Sequence, residues 1–86
     1  MDNDEQELRK IWEFMKDFWQ LMKTHHSQPL NGDKQAEDNY WHSLIDAAGE
    51  LGEKYDGHPL VIGQLKAYLD YQDGIWKKAL KERKRA

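Results

Sequence analysis

Between residues 5 and 23 the chain sorts its side chains by angle. Wound at about 100° per residue, Leu8, Ile11, Trp12, Phe14, Met15, Phe18, Trp19, Leu21 and Met22 fall within one half of a helical circumference, and the charged residues concentrate on the other half. A strand would scatter these residues over both faces, so the segment is a helix. An apolar arc of half the circumference is wider than the ~100° one neighbour covers; the helix should meet two others, or one neighbour and a partner chain. Asp2, Asp4, Glu5 and Glu7 lie at its start, where the helix dipole favours anions.

The same periodicity recurs twice. Residues 24–33, THHSQPLNGD, have no helical period and carry Pro29, Asn31 and Gly32, as a connection does. Asp33 is placed to cap a second helix running to about Asp56, with Tyr40, Trp41, Leu44, Ile45, Ala48, Leu51 and Tyr55 on one face. Gly57 then suits a C′ position, and His58-Pro59 supplies a cap and a first-turn proline for a third helix. In that helix Ile62, Leu65, Leu69, Gln72, Trp76 and Ala79 form a heptad seam flanked by Val61, Tyr68 and Ile75, with Gln72 its one polar member. Gly74 could kink or end it. Helices over about 5–23, 34–56 and 59–82, with frayed ends and short connections, predict one all-α domain spanning residues 1–86, an up-down-up three-helix bundle. The alternative is a helical hairpin that completes a bundle only as a dimer.

Composition narrows function mostly by exclusion. The chain has 86 residues, 38% of them hydrophobic and 34% charged, and no cysteine, so disulfides, thiolate metal sites and cysteine nucleophiles are excluded. A domain this small hides only about 60% of its unfolded surface, which leaves little room for an enclosed catalytic cleft. The longest apolar run is Leu60-Val61-Ile62, and the acidic start MDNDEQE is unlike a signal peptide, so no membrane span and a cytoplasmic location are expected. Net charge is −3, but residues 77–86 carry six Lys or Arg against Glu82, or +5, leaving −8 on residues 1–76. A mostly acidic body argues against nucleic-acid binding in general. The basic tail, Lys77, Lys78, Lys81, Arg83, Lys84 and Arg85, is either a patch for nucleic acid or an acidic partner, or a solvated helix end that opposes the dipole; no aromatic after Trp76 is available to stack on bases.

Of the four histidines, His25 and His26 fall in the first connection and His58 in the second, ~30 Å apart along the intervening helix, so they cannot share an ion. They are expected as solvated loop residues, with His42 on a polar face. Glu50 and Glu53 form E-x-x-E on the second helix, and Asp70 and Asp73 form D-x-x-D on the third; carboxylates three apart can hold Mg²⁺ in pairs. The arrangement loosely resembles the E-x-x-E and E-x-x-D signature of all-α nucleoside triphosphate pyrophosphohydrolases, which implies a Mg²⁺-dependent nucleotide hydrolase. It departs from that signature at Asp70 and lacks the double Glu that opens it. On the periodicity all four acids lie away from the apolar stripes, where solvation explains them, so no enzyme, metal or cofactor is expected.

Trp12, Trp19, Trp41 and Trp76 lie on or beside the apolar stripes, where rings either fill a core or anchor an interface. A second stripe on the third helix, Leu60, Ala67 and Tyr71, faces away from its heptad seam, and Phe14 and Leu21 sit at the margin of the first helix's arc. Trp12, Phe14, Leu21, Leu60 and Tyr71 are therefore the candidates for contact with a protein partner or a second copy. The pattern F-W-x-L, then Y-W-x-x-L-I-x-x-A with Lys54-Tyr55, and L-x-A-Y-L-x-Y from Leu65 to Tyr71, is similar to small helical proteins of Gram-positive prophages and mobile elements. That resemblance implies a bacterial, mobile-element origin and assigns no catalytic residue. The expectation is a non-enzymatic helical binding module.

Overall fold

The computed structural model describes residues 2–85, with side chains from residue 3 to residue 83. It is an all-α three-helix bundle of α1 (Asp2–His25), α2 (Lys34–Lys54) and α3 (Pro59–Arg85), with contacts among all three helix pairs. The chain runs up, down and up. Tyr55 of α2 packs edge-on to Phe14 of α1, Trp41 of α2 meets Trp76 of α3, and Phe18 of α1 meets Tyr68 of the parallel α3. The core is small: Phe14, Leu21, Leu44, Ala48, Val61 and Leu65 are buried, with half-buried aromatics closing around them.

The helix boundaries follow their caps. Asp33 accepts from the Ala36 amide at 3.3 Å, as an N-cap should. The second helix stops two residues earlier than the expected Asp56, because Asp56 (φ 55°) and Gly57 (φ 65°) both turn left-handed and the Gly57 amide closes back on the Gly52 carbonyl at 2.8 Å. His58 Nδ1 then accepts from the Leu60 amide at 3.2 Å and caps α3. That helix runs through Gly74 without ending and continues past the expected residue 82 to Arg85; Gly74 faces open space.

The third helix outlasts the first. Gln72 reaches the Gln28 side chain and the His25 carbonyl, so α1 ends at the level of Gln72, and the first connection and the start of α2 cover the rest of α3. Around Gln72, 2% exposed, a polar cluster closes that end of the bundle. Its Nε2 lies 2.9 Å from the His25 carbonyl and the Tyr40 hydroxyl and 3.0 Å from the Tyr68 hydroxyl, and its Oε1 accepts from Gln28 Nε2 at 3.1 Å. Burial, with the neighbouring Tyr68, pushes the Tyr40 hydroxyl up to about 12, so it stays a donor to the His25 carbonyl at 2.8 Å.

His25 corrects one expectation. It is buried at the end of α1 rather than solvated in a loop. Its Nδ1 lies 2.9 Å from the Leu21 carbonyl, which can only accept, so Nδ1 carries the proton and Nε2 accepts from Ser43 Oγ at 3.1 Å in the neutral ring. The expected helix stops at residue 23; α1 in fact runs on to His25, which carries the ring onto the side that α2 closes over. The buried line of α3 also differs slightly from the expected seam: Val61, Leu65 and Gln72 are inside, while Ile62 is 45% exposed.

A candidate docking groove between α1 and α3

The arc on α1 is split in two by its neighbours. Ile11, Phe14, Phe18 and Leu21 turn toward α2 and α3, whereas Leu8, Trp12, Met15 and Trp19 face solvent, at 56–64% exposure. The exposed residues, with half-buried Met22, repeat at intervals of four and three, which is a heptad seam along about 21 Å of helix. This outer seam is one wall of a groove. The facing wall is α3, where Leu60 and Gln64 approach Met15, Trp19 and Met22, and Tyr68 with Tyr71 continues the lining past Trp19 to His26. Tyr71 is 66% exposed and Leu60 43%. Of the three helix pairs, α1 and α3 touch least, which leaves this side of the bundle open.

Three of the five expected contact residues therefore line the groove or its rim: Trp12, Leu60 and Tyr71. Phe14 (1% exposed) reaches only the floor of the groove, and Leu21 (6%) lies outside it. They sit at the margin of the arc, but at the margin against which α2 packs, so they belong to the core. Leu8, Met15, Trp19 and Met22, which were not among the expected contact residues, stand on the same outer row, and their four-three spacing was the available signal.

Beside the outer seam, on the side away from the core, Arg9, Lys16 and Lys23 follow one another seven residues apart and are all exposed. None forms an ion pair among the described residues; Lys16 Nζ instead lies 5.8 Å from the centre of the Trp12 ring. Lys16 lines a shallow hollow between Trp12 and Trp19. Some of the other charges are engaged. Asp17 on the back of α1 accepts from Lys54 Nζ at 2.7 Å and from the Tyr55 hydroxyl at 2.6 Å, which holds its carboxyl below the ordinary 3.8. His58 Nε2 meets Glu7 at 3.1 Å.

The four carboxylates weighed for Mg²⁺ are not brought together. Glu50 and Glu53 are exposed on α2, with Glu50 beside Lys54 and Gln20; Asp70 is exposed on α3, and Asp73 is paired with Lys77 at 2.8 Å. Among the described residues no group of three or more His, Asp or Glu could hold a metal ion. In the basic tail, Lys78 and Lys81 are exposed, and Arg83 reaches Glu37 at 3.3 Å, tying α3 to the first turn of α2. The side chains of Lys84 and Arg85 lie outside the described residues. Among the described residues no helix is long and apolar enough to cross a membrane. No family model, curated protein or solved structure matches the chain.

Proposed function

We propose that this chain is a non-enzymatic docking module of the cytoplasm, which receives one helix of a protein partner in the groove between α1 and α3. The observation that carries the reading is the outer seam of α1. An apolar row of Leu8, Trp12, Met15 and Trp19 left outside a bundle is hydrophobic surface that the monomer does not use, and large contiguous surfaces of that kind mark contact sites. Trp and Met are also among the residues interfaces favour, and the concave path between two helices suits a third cylinder laid along them.

The test is site-directed photo-cross-linking in the native host. A photoreactive phenylalanine analogue in place of Trp19 should give one discrete adduct with another protein, whereas the same analogue at exposed Ile45 on α2 should give none. Equal labelling from both positions, or no adduct from either, would count against the groove.

A further inference from the structure

From the charges beside the groove we infer the chemistry of its occupant: an amphipathic helix that carries a row of acidic side chains along one edge of its apolar seam. The inference rests on the docking reading above and deepens it.

Arg9, Lys16 and Lys23 form a row parallel to the outer seam, at the position where coiled-coil helices exchange interhelical ion pairs. They stay exposed and lack carboxylate partners among the described residues, as do Lys10, Lys34, Lys66, Lys78 and Lys81; what sets the three apart is that they stand in one row beside the uncovered seam. A helix resting on Leu8, Trp12, Met15 and Trp19 would bring its own flank within reach of that row. Acids spaced seven apart on that flank match it, and bases would repel it. The hollow beside Trp12 and Trp19 leaves Lys16 room to meet a carboxylate.

A second copy of the chain fits this row poorly. In a two-fold pair of antiparallel α1 helices the axis stands perpendicular to the plane of the helices, so each flank remains on its own side and the cation row meets its own duplicate. In a parallel pair the row meets the other flank, which holds Ile11 and Phe18 and is already occupied by α3. An anionic lipid surface fits less well than a helix. The groove is concave, and Glu5, at the N-terminal end of the row, would face the headgroups.

The probes are two helical peptides of about 18 residues, ~27 Å long, with Leu at the a and d positions and either Glu or Lys at both flanking positions. Titrated calorimetrically into the full chain at low salt, the Glu peptide should bind about tenfold more tightly than the Lys peptide. The difference should fall toward parity at about 1 M salt, where charges are screened beyond ~3 Å, and in Lys16→Glu/Lys23→Glu, whose circular dichroism should match the parent. Equal affinities at low salt would overturn the acidic partner and leave the groove standing. Binding of neither peptide would overturn the groove as well. A sedimenting dimer that Trp19→Ser dissociates would assign the surface to a second copy, and a larger shift of tryptophan emission with phosphatidylserine vesicles than with the Glu peptide would assign it to lipid; either result overturns the inference.

Discussion

Asp17 joins two helices with one carboxylate, taking a proton donor from Lys54 and another from Tyr55. Those hydrogen bonds lower the carboxyl's pKa in the folded chain, so the stability they contribute is present above the ordinary value of 3.8 and is lost as pH falls through the depressed folded value. The Tyr55 hydroxyl moves the other way, raised by burial and by its bond to Asp17, and its share persists up to pH 10 and is lost above. Asp17→Asn should therefore cost about 1 kcal/mol near pH 7, a figure discounted for the solvent around Lys54, and should flatten the acid limb of the stability curve below about pH 4. Urea melts across pH 2.5–7, at about half-unit steps, check both. An acid limb as steep as the parent's would remove this latch. Gln72 was visible in the sequence as the odd polar member of an apolar seam, but its partners were not. They come from a loop, two other turns of helix and a backbone carbonyl, up to 47 residues away, and no local pattern encodes that meeting. For the same reason His25 read as a wet loop residue, since only α2 makes it a buried one.

At the scale of the element, periodicity gave α1 its place on the chain and the width of its arc, and that width rightly demanded more than one neighbour. It did not say which part of the arc would turn inward. The arc is continuous, and its division depends on where α2 and α3 lie, information that resides in two other segments. Phe14 and Trp19 make the division measurable. Phe14→Ala should lower stability by about 3–5 kcal/mol through lost contacts and a residual cavity, whereas Trp19→Ser, 58% exposed in the parent, should change it by less than about 0.5 kcal/mol. Denaturant midpoints at constant slope decide it; comparable losses from both would mean that the outer seam is part of the core. Caps were the most legible features, because Asp33 and His58-Pro59 act through atoms within a few residues of themselves, although Asp56 takes the C′ place expected of Gly57, which follows it at C″.

For the whole molecule, three amphipathic segments and two short connections sufficed to predict an up-down-up bundle, because antiparallel return is what short connections permit. The groove was only partly legible, through Trp12, Leu60 and Tyr71. Its other residues lay on the one continuous arc of α1, open to a second helix or to a partner, and the bundle closes around only part of that arc. The cation row was hidden for a different reason: Arg9, Lys16 and Lys23 read as an ordinary polar face until the adjacent seam is known to be uncovered.

The account stands on two of the four tryptophans pointing outward along α1 and being covered when a helix docks. The indole N–H signals in a nitrogen-15 spectrum, recorded with a soluble paramagnetic agent, report this directly. In the free chain Trp12 and Trp19 should broaden strongly while Trp41 and Trp76, packed against each other, broaden weakly; saturating Glu-flanked peptide should protect Trp12 and Trp19 alone. Four indoles equally shielded in the free chain, or outer indoles that broaden as much with the peptide as without it, would contradict the account.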